Sequence, residues 1–315
     1  MCNKGEKVFF RDPRINVGKY FHDMQKCMEK LELNKFDSLQ LKMLQNYAKR
    51  LLEFYDYYLK HNGGYLFPDR MRTTKIIVKI LKNICESENL ESVIKLFSEL
   101  GSALSSMANY HALIIIRHPD KSVEGNKSWS VKGPLQAKWF SEMLILELLA
   151  APDQVGFELN VTNLRRTQLV AEIFARKLKS AIRDYGKDSP IYAGMEEDLF
   201  IDKEFQKPAA PGTPKRKLRE TTEDMLDWCH HPQNWPLCDS PKDTFDRFYH
   251  FIKKSISDLD LTRHSKIIVA VTHAPTIFPY IYQTTGISDY IEAAEIIKFE
   301  KNRMLYKGKW YNAKV

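Results

Sequence analysis

Basic and nucleophilic side chains recur where this chain turns from strand to loop or helix. The apolar run Leu113-Ile114-Ile115-Ile116 ends on Arg117-His118-Pro119-Asp120, and Ile267-Ile268-Val269-Ala270-Val271 ends on Thr272-His273. In open α/β sheets, ligands bind outside the carboxyl ends of the strands, so both histidines fall where a ligand would lie. Arg165 and Arg166 follow a third candidate strand, residues 157–161, in the first turn of a helix capped by Thr162 or Asn163. Cations oppose the positive end of a helix dipole, and that placement makes sense beside a bound anion. A guanidinium grips a tetrahedral oxyanion with two parallel donors and stays charged. An imidazole adds a neutral nitrogen that can attack an electrophile. Two arginines and two histidines at one crevice therefore point to a phosphate or phosphoryl site. A metal is not expected, because arginines repel cations and no carboxylate ligands accompany the histidines.

The elements that must hold these residues follow from periodicity. Residues from about 37 to 107 read as helical. Leu41, Leu44, Ala48, Leu51, Tyr55 and Leu59 recur at helical spacing up to Gly63-Gly64. Ile76, Ile77, Ile80, Leu81 and Ile84 mark the inner face of a helix after Pro68, and Val93, Ile94, Leu96, Phe97 and Leu100 that of a third before Gly101. No His, Cys or carboxylate cluster lies among them, and Tyr55, Tyr57 and Tyr58 read as core. Residues 1–107 are thus expected to be an all-α extension, structural or partner-binding, without chemistry of its own. From residue 108 to 315, strands alternate with helices, which predicts a three-layer αβα fold with a mostly parallel sheet. One helix runs from Gly133-Pro134 to about Ala150 and another to Gly186, with a short strand at Ile191-Tyr192-Ala193. Residues 203–238 collect Pro208, Pro211, Gly212, Pro214, Pro232 and Pro236 and read as a long, partly mobile insertion. Ser240-Pro241 opens a helix with Phe245, Phe248, Ile252, Ile256 and Leu259 on one face, Asp243 completing a capping box. Residues 294–298 and 304–311 predict a closing antiparallel pair that turns near Asn302.

Composition narrows the function classes. The 315 residues are 43% hydrophobic, and 48 Lys+Arg against 40 Asp+Glu give a net charge of +8, which favours anionic partners. Phosphorylated small molecules, phosphoproteins and nucleic acid all qualify, and charge alone does not choose among them. The basic cluster Pro214-Lys215-Arg216-Lys217-Leu218-Arg219 resembles a nucleic-acid or nuclear-import segment, but reads better as a solvated part of the insertion. No apolar segment approaches the roughly 20 residues that span a bilayer, and the amino terminus lacks the apolar core of a signal peptide. Cys2, Cys27, Cys85, Cys229 and Cys238 are odd in number and scattered, as in a reducing compartment. The cytoplasm is the expectation, with delivery into a host cell without a signal peptide left open. Cys229-His230-His231 and Cys238 are zinc-ligand types without the usual Cys-x-x-Cys pairing, and an ordinary loop around Trp228 and Trp235 is the preferred reading.

Five segments in order resemble the histidine phosphatase superfamily, also called phosphoglycerate mutase-like, in its larger branch (branch 1). Arg117-His118-Pro119 is similar to the family's Arg-His-Gly, and Ser130-Val131-Lys132-Gly133-Pro134-Leu135-Gln136-Ala137 to its Thr-x-x-Gly-x-x-Gln-Ala. Thr162-Asn163-Leu164-Arg165-Arg166-Thr167 is similar to the start of its arginine helix, which makes Arg166 the matching arginine and Arg165 the variable position. Asp239-Ser240 with Arg247, and Val271-Thr272-His273, complete the set. The resemblance covers residues 108–315. It implies a phosphomonoesterase that forms a phosphohistidine on His118, with Arg117, Arg166 and His273 holding the phosphoryl oxygens and no cofactor or metal. It implies a carboxylic acid for the leaving group, best matched by Glu197, with Asp120 as the rival. Pro119 stands where the family has glycine, and Asn126 is displaced from the family's asparagine. The pocket residues of mutases are not found, so a phosphatase is expected over a mutase. The alternatives are a catalytically silent relative that binds phosphorylated ligands or protein partners, the latter through the N-terminal helices, and a nucleic-acid-binding protein.

Overall fold

The computed structural model describes residues 17–33, 38–108, 110–119, 130, 132–151, 155–162, 164–185, 191–197, 221–235, 238–261 and 265–313; at 18, 19, 31–33, 155, 178–185 and 191–197 it describes the backbone alone. The chain forms two compact units. One joins Met1–Asn109 with Glu142–Val155 and Arg176–Ile191, and the other joins Tyr110–Ser141, Gly156–Ala175 and Tyr192–Val315. The helical unit thus takes in two stretches beyond the boundary at 107.

In the helical unit, α1 (Val17–Leu33), α2 (Ser38–Asn62), α3 (Pro68–Glu86) and α4 (Leu90–Ser105) precede the carboxyl half of α5 (Gly133–Leu149). A 3-10 turn at Gly63–Tyr65 ends α2, Pro68 opens α3 where its missing N–H costs nothing, and the Asn89 side chain caps α4 by accepting from the N–H groups of Glu91 and Ser92. Helix α4 runs on past Gly101, the expected stop. A Cβ there would lie 3.2 Å from Cζ of Phe21, so this glycine admits α1 instead of ending α4. Tyr55 and Tyr58 are buried as expected, whereas Ile76 is exposed.

A polar knot lies among these helices. Glu147 of α5 is fully buried. Its carboxylate accepts from Tyr58 Oη at 3.1 Å and from Asn62 Nδ2 at 3.3 Å, and stands 3.7 Å from Nε of Arg70. Arg70 Nε donates to Tyr58 Oη at 3.1 Å. A carboxylate in so apolar a setting persists only when paired and hydrogen-bonded, and three residues from α2 and α3 supply those partners.

The second unit is built on one sheet. Its strands are β1 (His111–Arg117), β2 (Val155–Val161), β3 (Ile191–Glu197), β4 (Ser265–Thr272), β5 (Ile296–Glu300), β6 (Arg303–Tyr306) and β7 (Lys309–Asn312), in the order β3-β2-β4-β1-β5-β6-β7. Strand β1 runs parallel to β4, whereas the pairs β1/β5, β5/β6 and β6/β7 are antiparallel. The α/β class is as expected, and the sheet is mixed instead of mostly parallel, because the closing segment folds back as three strands. Its last two meet at Lys307-Gly308, both with positive φ (47° and 72°), the backbone that a tight hairpin turn demands. Helices α6 (Arg165–Tyr185), α7 (Thr222–His230), α8 (Pro241–Asp260) and α9 (Ala274–Thr285) complete the set. Leu113, Ile115, Ile268 and Ala270 join one cluster with Trp228, Phe248, Ile252 and Phe278. The alternate residues Ile114, Ile116, Ile267 and Val269 are equally buried, so both faces of the central strands are covered, as three layers require. Phe174 of α6 packs on Phe157 of β2 with ring centroids 4.8 Å apart.

Within the expected insertion, residues 221–235 are folded. Thr221 caps α7, and Trp228 and Trp235 are buried in the core cluster. Pro232 opens a 3-10 turn, Pro232–Asn234, between the two indoles. Residues 203–220, with the basic cluster 214–219, lie outside the described residues. Cys27, Cys85, Cys229 and Cys238 are free thiols, and no helix among the described residues is long and apolar enough to cross a membrane.

Candidate active site

Sheet register places the two histidines. In the parallel pair of β1 and β4, Arg117 lies opposite Thr272, and His118 and His273 each follow by one residue. The N–H of His118 donates to the carbonyl of Thr272 at 2.8 Å, extending the ladder one residue past β1. The two rings stand 5.0 Å apart between centroids, tilted by 55°. Arg117, His118 and His273 are 3%, 0% and 2% exposed. Strand β2, beside β4 in the sheet, delivers the next group: it ends at Val161, and Arg166 follows in the first turn of α6.

Arg166 turns inward. Its Nε and Nη2 lie 3.2 and 3.0 Å from Nδ1 of His273. Arg165 turns away and pairs with Glu172 on the exposed side of the same helix. Nε2 of His273 lies 3.1 Å from Oγ1 of Thr162, which is 2.8 Å from Oγ1 of Thr167, and Thr167 donates to the carbonyl of Leu164 at 2.8 Å. Nδ1 of His118 lies 2.7 Å from the carbonyl oxygen of Pro119. A carbonyl only accepts, so this nitrogen carries the proton and Nε2 keeps the lone pair in the neutral ring. Arg117 is held from another side. Its Nη1 donates to the carbonyl of Ile291, and its guanidinium lies over the ring of Tyr290, 4.6 Å from the centroid. Its N–H donates to the carbonyl of Glu295, whose carboxyl group burial lifts above the usual range against the pull of the Glu292 N–H, Lys307 and Arg117.

His118, His273 and Arg166 thus form one contiguous group, and Arg117 is buried beside it in sequence. Of the expected acids, Glu197 is the last residue of β3 with its side chain outside the described residues, and Asp120 lies outside them altogether, as does Asn126. Asp239, Ser240 and Arg247 serve elsewhere. Ser240 caps α8, and Arg247 donates to Asp239 at 2.8 Å. His230 pairs with the Tyr282 hydroxyl at 3.0 Å, and no group of three or more metal-ligating side chains occurs among the described residues. Thr162, Thr167, Tyr290 and the Ile291 carbonyl went unassigned in the sequence. Thr162 and Thr167 stand inside the arginine segment, where their hydroxyls were a readable signal. No spacing marks Tyr290.

The chain is similar in structure to phosphoglycerate mutases and to a related phosphatase. The phosphoglycerate mutase of Bacillus anthracis is 13% identical, the match spanning 67% of this chain and 95% of that one at a TM-score of 0.39. A mycobacterial glucosyl-3-phosphoglycerate phosphatase is 12% identical over 65% of this chain and 99% of its own, at 0.36. The phosphoglycerate mutase of Plasmodium falciparum is 12% identical over 62% and 89%, at 0.32. No family model matches the sequence, and no curated protein matches it. At such distances it is the side chains around His118 that carry weight.

Proposed function

We propose that this chain belongs to the histidine phosphatases and hydrolyses a phosphate monoester, carried on a small molecule or a protein, through a phosphohistidine on His118. One observation carries the reading. The Pro119 carbonyl fixes the proton of His118 on Nδ1, which leaves Nε2 as the lone-pair nitrogen, beside a second histidine and an inward arginine. In that reading Nε2 attacks phosphorus in line with the leaving oxygen. The N–P bond forms as the P–O bond breaks, and a carboxylic acid, Glu197 or Asp120, gives its proton to the departing alkoxide. The resulting carboxylate then takes a proton from water, the water oxygen bonds to phosphorus, and the N–P bond returns its electron pair to Nε2. Arg117, Arg166 and His273 supply positive charge and donors where the oxyanion spreads its charge, the role often given to a metal ion.

The test mixes the protein with a panel of phosphate monoesters, quenches at alkaline pH because N–P bonds hydrolyse in acid, and maps the label by mass spectrometry. We expect one phosphoryl group on His118, release of inorganic phosphate in the presence of chelator, and loss of both in His118→Ala. Label on another residue overturns the mechanism. Ligand binding with neither label nor turnover makes the chain a silent relative, and transfer to a second hydroxyl in place of water makes it a mutase.

A further inference from the structure

We propose that Thr162 is a positioning residue of this pocket: its hydroxyl, by accepting from Nε2–H of His273, holds the second histidine in the tautomer opposite to that of His118. The proposal deepens the phosphatase reading and rests on it for its catalytic consequence, whereas the tautomers themselves do not depend on it. The assignment follows from donor counting. Guanidinium nitrogens only donate, so Nδ1 of His273, 3.0 and 3.2 Å from Arg166, must accept and carry the lone pair. The ring proton is then on Nε2, which points at Thr162 Oγ1 at 3.1 Å. Thr162 passes its own hydroxyl proton to Thr167 at 2.8 Å, and Thr167 donates to the Leu164 carbonyl at 2.8 Å. Each donor meets an acceptor from the guanidinium to the backbone, and Thr162, Thr167 and His273 are all buried.

His118 is wired in the opposite sense, with its proton on Nδ1 and its lone pair on Nε2. In the phosphatase reading, the pocket therefore pairs a nucleophilic histidine whose lone pair is on Nε2 with a second histidine whose Nδ1 is turned to the arginine. Among the described residues, Arg166 from α6 and His118 beyond β1 face the His273 ring. When an oxyanion draws the Arg166 donors to itself, His273 can hold an anionic oxygen only through an N–H at Nδ1, gained from solvent. Nε2–H stays on Thr162 in both protonation states, so the ring need not turn. Without Thr162 the buried Nε2–H has no acceptor, and the ring loses the anchor that keeps Nδ1 turned toward Arg166 and the oxyanion.

The tautomers are read directly by long-range proton–nitrogen correlation spectra of the protein labelled with ¹⁵N-histidine. In the wild-type chain we expect the neutral Nε2–H pattern for His273 and the neutral Nδ1–H pattern for His118. In Thr162→Val, which keeps the shape and removes the acceptor, the His273 signals should lose the single-tautomer pattern. With a phosphate ester, kcat should fall roughly ten- to a hundredfold, the cost of a stranded buried donor, with KM changed less than about threefold. Thr162→Ser should restore both readouts, and Thr162→Ala replaces the valine variant should that fail to fold. An Nδ1–H pattern for His273 in the wild-type chain overturns the proposal, as do a spectrum and kcat left unchanged by loss of the hydroxyl. Should no ester be turned over, the spectra still decide the tautomers, and the phosphatase reading fails separately.

Discussion

Arg165 is exposed and tied to Glu172 on its own helix, whereas Arg166, one residue on, sets two N–H groups against His273. An exposed ion pair contributes little, about 0.2–1 kcal/mol, while a charge-assisted bond from a guanidinium to a phosphoryl oxygen contributes about 1.5–3 kcal/mol. Arg166→Ala should therefore raise the inhibition constant for inorganic phosphate roughly ten- to a hundredfold, and Arg165→Ala by less than about threefold; competitive inhibition of ester turnover measures both. The residue type and its place in a helix's first turn were legible in the sequence, because a cation there needs a reason. Its orientation was not, since neighbours on a helix diverge by about 100° and only the packing of α6 decides which one faces inward. The Tyr290 and Ile291 contacts to Arg117 were beyond reading for a different cause. They come from a loop more than 170 residues away in the chain, and loops carry no periodicity.

Strands β1 and β4 were legible because four or five successive apolar residues, buried on both faces, have few other uses. Helix α1 was not. Its buried positions, Val17, Met24, Cys27 and Met28, keep helical spacing, yet two are methionine and one is cysteine, so the stripe is faint against the charges between them. Helix α7 was hidden among prolines although its Trp228 is fully buried. The Glu147 knot was invisible for the opposite reason, since single polar residues far apart in sequence carry no pattern until the helices meet. It yields a prediction for the helical unit. Arg70→Ala leaves the buried Glu147 carboxylate without its cation and should destabilise that unit by about 3–5 kcal/mol, whereas the paired replacement Arg70→Met with Glu147→Leu should restore most of the loss. Tyr58→Phe should cost about 1–3 kcal/mol, because it strands both acceptor and donor partners. Urea denaturation followed by far-ultraviolet circular dichroism distinguishes the three.

Across the whole molecule, several weak acids are held neutral by burial. The Cys229 thiol is pushed from an ordinary 9.0 up to about 12, and burial raises the Tyr55, Tyr58 and Tyr306 phenols above theirs. The folded chain then binds more protons than the unfolded one once pH exceeds the unfolded values. Stability is full below about pH 9 and declines as pH climbs toward the folded values. Thermal midpoints should accordingly fall between about pH 9 and pH 12, and these three tyrosines should ionise together with unfolding, as a cooperative rise in phenolate absorbance.

The hydrogen bond from the His118 N–H to the Thr272 carbonyl makes the spacing of the two histidines a property of the sheet ladder instead of side-chain choice. A single amide proton then acts as a clock for the pocket. Its exchange with deuterium can proceed only when β1 and β4 part at their carboxyl ends, so its rate counts how often the two histidines separate. Phosphate, if it binds between them, should slow that exchange in proportion to its occupancy, reporting ligation without any turnover.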